Sequence, residues 1–372
     1  MIAPKPKEKH SRNIRFLKFR RSKWRAILPA RYTPFSFRPS APRPPGYAGG
    51  NALASWFKRT VFISVLMIVT LFPFSSHASD ILLGTGESGT FSYFAGRTLC
   101  RILNHQSSSM NCATAPASGD VSNLTNLLGG SLDIALIDSR VLHDAVNKTG
   151  EFEFLDISYD NLRALIPFYE IPITLAVRSD AGITSLETAK GKRINAGAPR
   201  SPQHFASDMI IKAKGWSKSD FSLVQELPAS QSQDTMAFCH GTIQAMFHIG
   251  VHPDSSLQQL FKLCKADTLD MADSDIEKLV NEQPAFWKIE IAAGTYPSHP
   301  EKVTTFGTRM MLVVSEDLDE ETAYQIIDAL FKNRKRLKNA HPALSPFALN
   351  TGQSHDAGIP LHAGAAKYFS TH

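Results

Sequence analysis

Three times along this chain a short apolar run stops at a turn of small residues, and an amphipathic stretch begins. Ile81-Leu82-Leu83 stops at Gly84-Thr85-Gly86-Glu87-Ser88-Gly89. The run from Cys112 to Ala115 stops at Pro116 and Ser118-Gly119-Asp120, and Gly191 to Ala196 stops at a loop from Ala198 to Gln203. Parallel strands are buried on both faces, so they read as unbroken apolar runs joined by helical crossovers. The pattern therefore demands an α/β fold with a largely parallel sheet.

The first helix is expected over about Ser92 to Asn104, with Phe94, Leu99, Ile102 and Leu103 on one face. The second opens at Asp120, carries Val121, Leu124, Leu127 and Leu128, and stops at Gly129-Gly130. Asp133 to Asp138 is a third strand. Leu165 to Val177 is extended but contains Pro167 and Pro172, which suits a crossing between two lobes better than a central strand. The pattern then restarts: a short helix opening at Ser185, strand 191–196, helix 205–214, strand 221–227, helix 232–240, strand 242–247 and helix 256–264. Residues 289–311 read as an irregular return crossing, and Glu320 to Leu337 as one helix. The expected organisation is one lobe of residues 80–175 with 305–372, and a second of 176–304.

Charge is unevenly spread. The first 60 residues hold 15 of the 40 Lys and Arg and one acidic residue, Glu8, which leaves 25 basic against 33 acidic residues beyond them. The folded part is thus acidic, and nucleic acid is not an expected partner. Residues 1–50, rich in Arg, Lys and Pro, are expected to be disordered. Lys58-Arg59, the apolar run from Val61 to Phe74 and small residues at Ser76 and Ala78 form a secretory leader with cleavage expected after Ala78. The run is short against the ~20 residues of a spanning helix. About 290 residues then remain, soluble and outside the cytoplasm.

Sites of catalysis are hard to find. His-Glu-x-x-His and Gly-x-Ser-x-Gly do not occur, and the cysteines lack the close pairing of a zinc site. His248 and His252 fall in an expected loop without an acidic partner at ligand spacing. Gly84, Gly86 and Gly89 fit the dinucleotide pattern after a strand, but the acidic residue it needs at the next strand's end is replaced by Ala115-Pro116, and Thr90 stands where a P-loop needs lysine. No cofactor or metal is expected. What the three loops do share is a helix start at a strand's carboxyl end, where free N–H groups favour an anion and where open α/β sheets bind ligands.

At these loops the sequence resembles the TAXI-type solute-binding subunits of TRAP (tripartite ATP-independent periplasmic) transporters. The residues that carry the resemblance are Gly84-Thr85-Gly86, Tyr93 with Gly96, Gly119 with Asn123, Leu132-Asp133, Gly191-Lys192-Arg193, Ala293-Gly294-Thr295-Tyr296-Pro297 and the tail Pro360 to Tyr368. The resemblance implies a type II periplasmic-binding-protein clamp, two lobes on a hinge, closing on a small anionic or zwitterionic metabolite and handing it to integral-membrane TRAP subunits. The ligand site expected at these loops comprises Thr85, Gly86, Ser92, Tyr93, Asp120, Asn123, Asp138, Arg200, Ser201 and Gln203, with Arg200 as carboxylate partner because a guanidinium at a helix N-terminus can grip a carboxylate bidentately. Departures concentrate there. The family's Tyr-Tyr reads Ser92-Tyr93, its Thr-Gly-Gly-Ser reads Ala117-Ser118-Gly119-Asp120, its Gln-Ser-Asp reads Asp138-Ser139-Arg140, and its Pro-Gly-Ser-Gly reads Pro199-Arg200-Ser201-Pro202. Asp120 could equally cap its helix, and Arg140 reads as a solvated loop charge. The altered residues leave room for a non-transport sensor, and the glycine loop for a nucleotide-dependent enzyme.

Four cysteines outside the cytoplasm permit two disulfides in three pairings. Cys100 lies late in the first helix and Cys112 at the next strand, while Cys239 and Cys264 end helices that flank one strand. Pairing Cys100 with Cys112 and Cys239 with Cys264 leaves the hinge free, and related members carry the first two cysteines in the same places.

Overall fold

The computed structural model describes residues 79–106, 110–229, 233–296, 301–344 and 358–372. The leader and cleavage site expected within residues 1–78 lie outside these, as does Pro297. In chain order the elements begin with β1 Ser79–Thr85, α1 Phe91–Gln106, β2 Met110–Pro116, α2 Asp120–Leu128, β3 Ile134–Asp138 and α3 Ser139–Val146. They continue with β4 Leu162–Arg178, β5 Arg193–Asn195, α4 Pro202–Ala213, β6 Leu223–Gln225, α5 Gln233–Cys239, β7 Ala245–Ile249 and α6 Ser255–Cys264. The last are β8 Ala266–Leu269, α7 Ser274–Glu282, β9 Trp287–Ile291, β10 Val303–Ser315, α8 Glu320–Lys332, α9 Arg334–Ala340 and α10 Ala363–Thr371.

These strands form one sheet in the order β2-β1-β3-β10-β4-β7-β5-β6, with β8 added on β4 and β9 on β10. The flanks are parallel, as the alternation of strands and helices requires: β1 with β2 and β3, and β5 with β6 and β7. The middle is antiparallel, because β4 and β10 run past one another, β10 pairing also with β3 of the first flank and with β9, and β4 with β7 of the second flank and with β8. The fold is therefore mixed α/β.

Two expectations fail at this middle. Residues 165–177, read as a crossing rather than a central strand, lie within the 17-residue β4 at the centre of the sheet. Its prolines are tolerated because Pro167 faces Met311 beside a bulge and Pro172 faces Gly307. A β-carbon on Gly307 would stand 2.9 Å from Pro172 Cα, so the close approach there requires glycine. Residues 289–311, read as irregular, contain the end of β9 and most of β10. Their pattern was obscured by the glycine and prolines between the strands and by Thr304, Thr305 and Thr308 inside β10. A third expectation, one helix over 320–337, is also corrected. Asn333 separates α8 from α9, and its side-chain amide donates to Ala329 O at 2.9 Å, competing with the helical ladder. β8, α3 and α7 went unassigned.

The core changes over along β4 between Tyr169 and Ile173. On one side Leu83, Leu99, Leu103, Leu136, Phe168, Ile327, Leu330 and Tyr368 pack on one face of the sheet, and Leu124, Leu127, Ile137, Leu142 and Val313 on the other. On the other side Ile194, Ile210, Phe286 and Phe306 fill one face, and Phe238, Leu257, Leu260 and Phe261 the opposite one. Each fully buried leucine contributes about 1.5–3 kcal/mol relative to exposure. The two halves of the sheet thus have separate interiors.

Each half holds one disulfide, paired as expected. Cys100–Cys112 joins α1 to β2 with Cα atoms 4.9 Å apart, and Cys239–Cys264 joins α5 to α6 at 4.7 Å. The tail returns to the first half: Ala164 N donates to Pro360 O and His362 N donates to Ala164 O, both at 2.9 Å. His362 then caps α10 by accepting from Gly364 N at 3.1 Å. Gly364 lets the helices touch, since a β-carbon there would lie 2.8 Å from Ala323 Cβ.

Candidate functional site

Short turns after β1, β2 and β3 bring three helix starts together in the first half. After β1, the Gly86 amide donates to Ser92 Oγ at 3.1 Å, folding the glycine turn onto the first residues of α1. Thr85 and Asn123 are fully buried. Thr85 Oγ1 donates to Gly86 O, and Asn123 Nδ2 donates to Thr85 O at 3.1 Å, so both hold the turn from behind. Tyr169 of β4 reaches Ser92 through its hydroxyl and packs edge-on against Phe91 at 4.9 Å.

The second and third starts are joined through carboxylates. Asp120 is the first residue of α2 and does not cap it; the N-cap is Gly119 and no side chain bonds there. That overturns the capping alternative. Asp120 Oδ2 instead accepts from Asp138 N at 2.8 Å. Asp138 is itself the N-cap of α3, accepting from Arg140 N at 2.8 Å, and it also accepts from Thr308 Oγ1 of β10 at 2.6 Å. Burial and the neighbouring Asp138 charge push the Asp120 carboxyl up to about 7, against the opposing pull of the Asp138 amide and Arg140. Burial also raises Asp138, although Thr308 and the Arg140 amide favour its charged form. Both side chains retain accessible surface.

In the second half the turn after β5 starts α4. Ser201 caps this helix by accepting from His204 N at 3.1 Å, and Pro202 occupies its first position. Gly197 has φ +86, and a β-carbon there would stand 2.8 Å from His204 N, so only glycine lets the strand end meet the helix start. Arg200 is exposed with φ +68, and its side chain has no hydrogen-bond or ion-pair partner among the described residues. Gln203 is half-buried on the same turn.

The two sets face each other through α3. The Arg140 guanidinium lies 4.6 Å from the ring centre of Phe205 in α4, and Ser139 Oγ donates to Ala285 O at 2.9 Å. Arg140 is thus no free surface charge: it also pairs with Asp144 at 2.8 Å. Thr85, Gly86, Ser92 and Asn123 join one hydrogen-bonded group at the first turn, Asp120 and Asp138 form a second at the next two helix starts, and Ser201 lies with Gln203 at the start of α4. Tyr93 stands apart, half-buried beneath Arg97 at 5.8 Å. Tyr169, Thr308 and Phe205 were missed. Only the spacing of Phe205 one turn beyond Ser201 offered any signal.

His248 also needs correction, because it lies in β7 rather than a loop and Asp254 stands 3.8 Å from it, whereas His252 does lie in a loop. His252 is locked between Tyr296 OH at 2.5 Å and Thr174 Oγ1 at 2.9 Å, and burial pushes it down to about 3. Among the described residues no three His, Cys, Asp or Glu side chains group to hold a metal. No helix among the described residues is long and apolar enough to cross a membrane.

Residues 83–371 match the profile of the NMT1-like family. A TctC solute-binding protein from Polaromonas superposes with TM-score 0.51 at 15% identity, covering 81% of this chain and 100% of that one. The periplasmic aliphatic sulphonate binding protein SsuA from Escherichia coli gives TM-score 0.45 at 12% identity, over 78% and 83% of the two chains. The first of these similarities shows that this chain shares the fold of that solute-binding protein.

Proposed function

The chain belongs to the NMT1-like family, and we propose that it is an extracytoplasmic solute-binding protein of a TAXI-type TRAP transporter, capturing a small organic acid or amino acid. The observation that carries this reading is the facing pair of helix-start clusters at the point where β4 and β10 pass between two separate cores. In the proposal residues 80–175 with 305–372 and residues 176–304 are lobes, β4 and β10 are the hinge, and ligand bridging the lobes raises the population of the closed form. Ser92, Asp120, Asp138, Arg200, Ser201 and Gln203 line the cleft, with Thr85, Gly86 and Asn123 shaping its floor. Integral-membrane TRAP subunits are the partners. Two disulfides favour export, with the leader removed near Ala78.

Thermal-shift screening against organic acids and amino acids tests the reading. A ligand at a hundred times its dissociation constant should add about 2.7 kcal/mol of stability. Failure of every such solute to raise the melting temperature would sink it. N-terminal sequencing of exported protein should begin near Ser79. A sensor outside transport is the second reading, favoured by the departures at Asp120, Asp138 and Arg140; uptake that persists after deletion of the gene would support it.

A further inference from the structure

Asp120 and Asp138 occupy the positive ends of α2 and α3, the places where the backbone would otherwise attract an anionic ligand. We infer that the ligand presents a protonated amine to Asp120, making the solute an ammonium-bearing metabolite rather than a plain carboxylate. The inference rests on the binding reading above and names the solute class.

The donors around the two acids are nearly used up. Asp138 takes the Arg140 amide on one oxygen and the Thr308 hydroxyl on the other. Asp120 takes the Asp138 amide on Oδ2 only, and Oδ1 has no donor among the described residues. The cation nearest to hand is committed elsewhere, since Arg140 pairs with Asp144 and covers Phe205. An added carboxylate would place a third negative charge beside two that are already crowded. An ammonium group supplies the missing donor and relieves the repulsion at once. Across the cleft, Arg200 has a guanidinium without a described partner, suited to the other end of a zwitterion.

This makes binding depend on pH in a definite sense. The titratable groups facing Asp120 are Asp138 and Arg140 from the start of α3 and Tyr169 from β4, with Asp144 beyond Arg140. An ammonium partner favours the ionised Asp120, whose carboxyl is pushed up to about 7 without it. Affinity should therefore strengthen as pH rises to about 7 and level off above it. A plain carboxylate, accepting from protonated Asp120, would show the reverse.

The experiment titrates the whole chain calorimetrically with amino acids, their deaminated acids and their decarboxylated amines, between about pH 5.5 and 8. Aminated members should bind best. Asp120→Asn, which keeps the bond to the Asp138 amide, should weaken them by at least about tenfold. A deaminated acid that binds more tightly than its aminated partner, or an Asp120→Asn chain that binds amines as before, overturns the inference and leaves the binding reading standing. If nothing in all three sets binds the unaltered chain, both fall together.

Discussion

The helix starts of the two halves use one backbone device and answer it with opposite chemistry. At α2 and α3 the free amides and helix dipoles meet carboxylates that are enclosed and held by the Asp138 amide, the Arg140 amide and Thr308. At α4 they meet the neutral Ser201 hydroxyl, with Arg200, which has no partner among the described residues, one residue before. The first arrangement strains against its own charge, since each acid raises the cost of ionising the other. The second stores no such conflict. In the proposed reading the cleft is acidic on one wall and basic on the other, although both helix starts arise from strand, turn and helix.

The largest test asks whether the halves are stapled independently. Replacing Cys100 and Cys112 by serine should cost about 3 kcal/mol in urea unfolding, and replacing Cys239 and Cys264 slightly more because the closed loop is longer. If one pair cost nothing, that half would not depend on its staple. Asp120→Asn should act in the other direction. Because the folded carboxyl is raised, its contribution is present below about pH 4 and lost as pH rises through about 7. The ligand-free variant should therefore gain on the order of 2 kcal/mol near pH 8, after discounting for water at the accessible face, and almost nothing near pH 4. A melting-temperature difference that does not change with pH would show that the acidic wall is unstrained. Ser201→Ala, on the neutral wall, should cost about 1 kcal/mol at every pH in this range. The smallest effect belongs to the contact between walls. Arg140→Ala should lower stability by about 0.5 kcal/mol, and a double-mutant cycle with Phe205→Leu should attribute most of that to the pair.

The flanks of the sheet were legible because each parallel strand is a short apolar run beside a turn and a helix, all within about 30 residues. The middle was not. β4 carries two prolines and β10 carries threonines, an arginine and a glycine, and both are strands because their partners lie far off in the chain: Gly307 excuses Pro172, and Ser139 takes the Arg309 amide. The site divides in the same way. Gly86, Ser92, Asn123 and Ser201 announce themselves through local turn chemistry. Tyr169 and Thr308 bond to Ser92 and Asp138 from strands 77 and 170 residues away in the chain. Nothing beside them in the sequence marks them.

Residues 358–372 complete an interior whose first strand is β1. Leu361 bridges to Ala164, and Ala365 with Tyr368 packs beside Leu99 and Leu103. Ribosomes and export channels deliver a chain from its amino end, so the first half begins to emerge earliest and is finished last, while the second half can close in the interval. The second half is one uninterrupted stretch, whereas the first cannot be cut out as one without also taking the second. A nascent chain of this kind must keep its earliest hydrophobic surface shielded until its latest helix arrives.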